Sequence, residues 1–256
     1  MSSLEYQGQV AIVTGAGKGT GGLGRAIAMR LAAGGARVLV SDLDPKVSES
    51  AAEISAATGA ATLAFTGSLA VEENVKRMVA QAIEAWGRID ILVNNAGGGI
   101  IRPFLEHDAA SFTETIERNL WTTLWCCHKV LPHMIAQNYG RVVNIGADSL
   151  RTGIPNHAGY NAAKGGVIGM SAALARDFAA YDITVNTVSP CLINTVRFQG
   201  LKKSDPVLAG RFEAVVPKGR GVEIEEVVDA VAFLARRGTG FITGQEISIN
   251  GGSAMP

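Results

Sequence analysis

Seven short runs of β-branched and apolar residues, interleaved with longer stretches of helical spacing, constrain this chain most. The runs cover residues 9–13, 37–41, 61–65, 89–93, 141–145, 183–188 and 246–249, the third being the least regular. Short strands that are apolar throughout suit a parallel sheet covered on both faces. Helical patterns cover 25–34, 72–86, 109–137 and 160–181. Strand alternating with helix implies right-handed crossovers and a doubly wound α/β sheet of about seven strands. The 256 residues fit one such domain over 1–256, without a repeat or an interdomain linker. Residues 198–221 are the least regular, and their Gly, Pro and Lys content predicts a mobile loop or short helices over a site. Residues 196–220 are accordingly read as the substrate-binding loop.

The first strand runs into Thr14-Gly15-Ala16-Gly17-Lys18-Gly19-Thr20-Gly21-Gly22-Leu23-Gly24, and then into a helix. Glycines let the backbone turn tightly and approach a pyrophosphate, and the following helix N-terminus offers free N–H groups. The second strand ends at Asp42. A carboxylate there accepts hydrogen bonds from adenosine ribose hydroxyls and repels a 2′-phosphate, which favours NAD over NADP. Lys18 is a counter-signal, because a cation in the loop would suit that phosphate.

Further along, Tyr160 and Lys164 stand four apart, on one face of a helix. An ammonium beside a phenol favours the phenolate and is expected to lower the tyrosine pKa toward neutrality. Such a group can exchange a proton with an alcohol or a carbonyl. Other classes find no support. Lys plus Arg equals Asp plus Glu, at 23 each, so no net charge argues for nucleic acid or an anionic membrane. No apolar run reaches the roughly 18 residues of a membrane span. The start of the chain shows no secretory pattern, so a cytosolic location is expected. Cys126, Cys127 and Cys191 make no disulfide framework, and the four histidines lack metal-ligand spacing, so no metal is expected.

Taken together, these pieces resemble the classical short-chain dehydrogenase/reductase family over essentially the whole chain. The matching residues are Thr14-Gly15 with the Gly-rich turn, Asn94-Asn95-Ala96-Gly97, Asn119, Tyr160 with Lys164, and Pro190 with Thr195. The endings Thr243-Gly244-Gln245 and Asn250-Gly251-Gly252 match as well. The resemblance implies a Rossmann fold and hydride transfer between NAD(H) and an alcohol or ketone. Tyr160 would be the acid/base, with Lys164 holding the nicotinamide ribose and Asn119 anchoring a proton relay. Gly15, Gly17, Gly19, Gly22, Leu23 and Gly24 would cradle the cofactor, with Asp42 on its ribose. Ser68 and Leu69 would meet the adenine, Asn95, Ala96 and Gly97 would border the cofactor, and Pro190, Ile193 and Thr195 would hold the carboxamide. Family members are usually homotetramers, less often dimers.

The chain departs from the family in three places. The family's serine, thirteen residues before the tyrosine, is Ala147 here, and Ser149 is the nearest hydroxyl. Ser149 is the first choice for the missing donor, ahead of another polar group or a water. Loss of such a donor typically costs about 10²–10³ in rate, so a catalytically impaired, NAD-binding regulator is the alternative function. The glycine loop matches either through Gly15, Gly19 and Gly21, or through an insertion of about three residues before Leu23-Gly24, which is preferred. Cys191 replaces the glycine that usually follows Pro190. For the substrate, Ile101, Leu150, Ile154, Leu192 and Phe198 suggest an apolar or cyclic alcohol. Residues 94–103, 123–126 and 130–134 resemble dehydrogenases of cis-dihydrodiols. Arg102, Arg151 and Arg197 are potential partners of a substrate carboxylate, or surface residues. A steroid-like or acyl-thioester substrate stays open.

Overall fold

A computed structural model describes residues 4–19 and 22–255. Seven strands form one parallel sheet: β1 Val10–Thr14, β2 Arg37–Asp42, β3 Thr62–Thr66, β4 Ile91–Asn94, β5 Gly140–Ile145, β6 Ile183–Pro190 and β7 Glu246–Ile249. Their order across the sheet is β3-β2-β1-β4-β5-β6-β7. Every expected strand is present, displaced by at most two residues at either end. The helices are α1 Leu23–Ala33, α2 Val47–Thr58, α3 Glu72–Trp86, α4 Ala109–Ile116, α5 Thr122–Ala136, α6 Ser149–Thr152, α7 Ala158–Asp177, α8 Val196–Ser204, α9 Pro206–Glu213 and α10 Ile224–Leu234.

Alternation along each strand sends side chains to opposite faces. Ala11, Val13, Val38, Val40, Ile91, Val93 and Val143 pack with Ile27 and Leu31 of α1, Ile54 of α2 and Val231 of α10. Ile12, Leu39, Leu92, Val142 and Val185 pack on the other face with Met78 of α3 and Cys126, Val130 and Met134 of α5. Cys126 and Cys127 are therefore core side chains, and burial pushes both thiols well above their usual range. Among the described residues, no helix is long and apolar enough to cross a membrane, and no cluster of His, Cys, Asp or Glu could hold a metal.

The single long helix expected over 109–137 is interrupted. Residues Glu117–Trp121 form a π-helical turn between α4 and α5, and Asn119 sits inside it, fully buried. The irregular 198–221 stretch contains α8 and α9, each started by a side-chain cap: Thr195 Oγ1 accepts from the Phe198 N–H, and Asp205 Oδ1 from the Leu208 N–H. Short helices, the second form expected for this segment, are thus what forms.

Candidate active site

Strand order reverses between β1 and β4, so the crevice beyond their C-terminal ends is where ligands of such sheets bind. Thr14 ends β1 and Asn95 follows β4. Thr14 Oγ1 accepts from the N–H groups of Asn95 and Ala96, at 3.0 and 2.9 Å. The Asn95 amide donates to the main-chain oxygens of Thr14 and Gly15, at 3.0 and 2.9 Å. These bonds fix the mouth of the crevice. Gly15 turns there with φ +65°, in the left-handed region, and a Cβ on Gly24 would overlap the Gly15 carbonyl. Helix α1 therefore lies directly against the loop. It begins at Leu23 after Gly22, with no side-chain cap, leaving its first amides for an anion. This helix start agrees with the inserted register. The alternative through Gly21 rests on a residue outside the described ones. Gly19 is exposed, and a Cβ there would meet nothing.

Asp42 is buried at the end of β2. Its Oδ2 accepts from the Gly17 N–H at 2.8 Å and its Oδ1 from the Asp44 N–H at 3.1 Å. A Cβ on Gly17 would press on the Asp42 carboxylate, so a glycine is required where loop and carboxylate meet. Lys18 turns the other way, onto Glu49 at 2.9 Å and Glu53 at 2.7 Å of α2, and Arg25 also pairs with Glu53. A hollow of about 410 Å³ joins Asp42 to Ser68, Leu69 and Ala96. A tight glycine turn, an uncapped helix start and a buried carboxylate one strand away fit a dinucleotide.

A second cleft, of about 390 Å³, continues from Gly15 and Leu23 past Asn95 and Gly97 to Tyr160, Lys164, Pro190, Ile193 and Thr195. Helix α7 carries the tyrosine and lysine. It is tied to the sheet by a buried chain in which Asn94 donates to Asn144 and Asn144 donates to Ser171, both at 2.8 Å. The Tyr160 hydroxyl makes no hydrogen bond among the described residues. Lys164 Nζ is buried and donates to the Ile145 carbonyl at 2.7 Å, lying 5.9 Å from the Tyr160 ring centroid. The expected lowering of the Tyr160 pKa is not produced by the protein's own groups. Burial pushes the phenol up to about 12 and the ammonium down to about 8. Asn119 clamps Gly98, accepting from its N–H and donating to its carbonyl, both at 3.1 Å.

The position of the missing serine is resolved in detail. Ala147 lines the cleft with its methyl group. Ser149 also lines it, but its hydroxyl is 2.6 Å from Asn161 Oδ1, while Asn161 Nδ2 donates to the Ser149 carbonyl at 3.0 Å. A main-chain carbonyl only accepts, so the amide orientation is fixed and the hydroxyl hydrogen points at Asn161. Ser149 is present as expected, yet the hydrogen wanted for donation to substrate is committed elsewhere. Asp148, between Ala147 and Ser149, makes no side-chain cap to α6. It holds the C-terminal segment, accepting from Asn250 at 3.1 Å and Ser253 at 2.8 Å, and Arg151 is only at the edge of ion-pair range, 4.0 Å.

The substrate end differs from expectation. Ile154 and Leu192 line the cleft, whereas Ile101, Leu150 and Phe198 do not. Phe198 is buried under α8 and Ile101 is 46% exposed. Phe212, Val215 and Val216 supply the apolar wall instead. None of the three arginines lines it. Arg151 forms a double ion pair with Glu246, and Arg197 is exposed. Asn161 and Ser253 were missed by the sequence reading, since neither belongs to a motif with chemistry of its own. Cys191 is half-buried, with its thiol pushed up by burial.

A family model described as enoyl-(acyl carrier protein) reductase matches residues 17–254. The chain is 49% identical over 255 residues to a 2,3-dihydroxy-2,3-dihydro-p-cumate dehydrogenase of Pseudomonas putida, covering 99% of this chain and 97% of the relative. It is 34% identical to a 1,6-dihydroxycyclohexa-2,4-diene-1-carboxylate dehydrogenase of Acinetobacter baylyi, with 98% of each chain covered. The solved structure of an NAD⁺-bound xylitol dehydrogenase superposes with a TM-score of 0.89 at 30% identity, covering 97% of this chain and all of that one.

Proposed function

The chain belongs to the short-chain dehydrogenase/reductase family, enzymes that act on CH–OH groups with nicotinamide cofactors, and on that premise we propose that it oxidises a cyclic cis-dihydrodiol with NAD. The carrying observation is the unpartnered Tyr160 hydroxyl in the crevice at the strand-order reversal, with the buried Lys164 on the same helix face. The 49% identical dihydrodiol dehydrogenase supports the substrate class, as does the apolar wall of Ile154, Leu192 and Phe212. Asp42 supports NAD: its carboxylate would accept from ribose hydroxyls and repel a 2′-phosphate, and Lys18 is already neutralised by Glu49 and Glu53.

In this reading the loop from Gly15 to Gly24, with Gly17, Gly22 and Leu23, cradles the diphosphate at the start of α1. Ser68 and Leu69 flank the adenine, and Asn95, Ala96 and Gly97 form the floor. Pro190, Ile193 and Thr195 hold the carboxamide, and Lys164 the nicotinamide ribose. The nicotinamide, when bound, supplies the two-electron acceptor for the hydride that leaves the carbinol carbon. Tyr160, as its phenolate, accepts the proton that leaves the oxygen on that carbon. Lys164, with a pKa near 8, can pass a proton on at neutral pH, and Asn119 positions the floor at Gly98 beside that route. A homotetramer or dimer in the cytosol is proposed with it. The exposed Leu105, Trp121 and Phe241 support a surface covered by further copies, which size-exclusion chromatography with light scattering would test.

The test of the reaction is NAD reduction against ring cis-dihydrodiols and matched mono-alcohols, with NADP as the alternative acceptor. Turnover of dihydrodiols with NAD is expected. Tight NAD binding without turnover of any alcohol would overturn the reading in favour of a regulator.

A further inference from the structure

Two hydroxyls on the cleft wall, those of Ser149 and Thr152, have their hydrogens committed, as their partners show. Ser149 gives its hydrogen to Asn161 Oδ1 at 2.6 Å. Thr152, also on the cleft wall, directs its hydroxyl to the Asp148 carbonyl at 3.4 Å. His157 Nδ1 lies 2.7 Å from the Pro155 carbonyl, so Nδ1 carries a hydrogen that is directed at that oxygen. Ala147 contributes a methyl where a donor hydroxyl would stand. Among the described wall residues, Ser149 and Thr152 therefore present lone pairs rather than hydrogens, while the Tyr160 hydroxyl makes no hydrogen bond.

We infer that Ser149, locked by Asn161, is a specificity-determining residue that accepts a hydrogen bond from the non-reacting hydroxyl of a vicinal diol. This rests on the proposed dihydrodiol reading and deepens it. A ketone brings no hydrogen for Ser149 to accept and gains nothing from it. A mono-alcohol has one hydroxyl, which Tyr160 engages. A cis-diol brings a second donor next to the first, and Ser149 Oγ is an acceptor whose hydrogen cannot compete. A site that hydrogen-bonds a substrate hydroxyl discriminates against the analogue lacking it, because its own polar group is then left unpaired. The same arrangement explains how a chain with Ala147 can work: the donor serine is replaced by an acceptor suited to a substrate that itself donates.

The experiment compares kcat/KM for a ring cis-diol and for the same ring with only the reacting hydroxyl, in the NAD-dependent wild type and in Ser149→Ala. The diol value should fall roughly tenfold, and the mono-alcohol value by no more than about twofold. Should the alanine variant not fold, Ser149→Cys keeps the volume with a much weaker acceptor and is expected to show the same selective loss. Equal losses on both substrates would mark Ser149 as merely structural and overturn the inference, as would no change on either. If the wild type oxidises no diol, the functional reading itself falls. If it oxidises diols and the selectivity does not move, only the role of Ser149 falls.

Discussion

The Lys164 ammonium lies 2.7 Å from the Ile145 carbonyl, buried between α7 and the end of β5. Its pKa is held near 8 by burial, below the 10.5 of an exposed lysine. Because the folded chain binds this proton less tightly than the unfolded chain, the cost of the charge is fully present below pH 8. It disappears as pH rises to 10.5. A Lys164→Met variant, measured by urea unfolding without added cofactor, should exceed the wild type in stability at pH 7. The expected margin is on the order of 3 kcal/mol at most, from about 1.36 kcal/mol per pKa unit, less the lost bond to Ile145. The margin should shrink between pH 8 and 10.5, and a pH-independent difference would contradict this account.

Tyr160→Phe should lower turnover by at least about 10²-fold, the usual scale for a lost acid/base. NAD affinity should stay nearly unchanged, because the hydroxyl makes no bond that holds the loop. Steady-state rates and a fluorescence titration with NADH separate the two. Unchanged turnover would remove Tyr160 from the chemistry.

Ultraviolet difference titration of the protein without cofactor, with Tyr160→Phe as the blank, should show this phenol ionising near pH 12. Burial stabilises the neutral form, so the signal should appear above the usual tyrosine range near pH 10. The pH–rate profile should report a lower value, since cationic groups in the loaded cleft favour the phenolate. Ionisation near pH 7 in the protein alone would show that Lys164 acts on the phenol unaided.

Asp42→Ala should shift the ratio of kcat/KM for NAD over NADP toward NADP by roughly 10–100-fold, the worth of charge-assisted hydrogen bonds. Adding Glu49→Ala and Glu53→Ala frees Lys18 and should shift it further. An unchanged preference in the triple variant would place the adenosine ribose elsewhere.

Gly24→Ala puts a methyl group into the Gly15 carbonyl and the Asn95 amide. Overpacking of this kind costs about 1–3 kcal/mol. Thermal melting should register that loss, and NAD affinity should fall with it. Gly19→Ala, whose added carbon meets nothing, is the control and should leave both nearly unchanged.

The sheet, its crossovers and the crevice were legible in the chain alone, because apolar runs of strand length and helical spacing are local signals. The glycine turn, Asp42, Tyr160 and Lys164 were legible too, since each sits at a definite position along one element. What those groups meet depends on packing between elements far apart in the chain. Lys18 reads as a phosphate partner until α2 brings Glu49 and Glu53 against it. Phe198 reads as cavity lining until its capped helix turns it into the core, leaving that wall to Phe212 and Val215. The pKa values of Tyr160 and Lys164 move apart because both are desolvated, which no spacing encodes. Ser149 carries the same lesson. Its distance from the missing-serine position suggested a donor, but only the fold brings Asn161 to its hydroxyl, and a hydroxyl has one hydrogen to give.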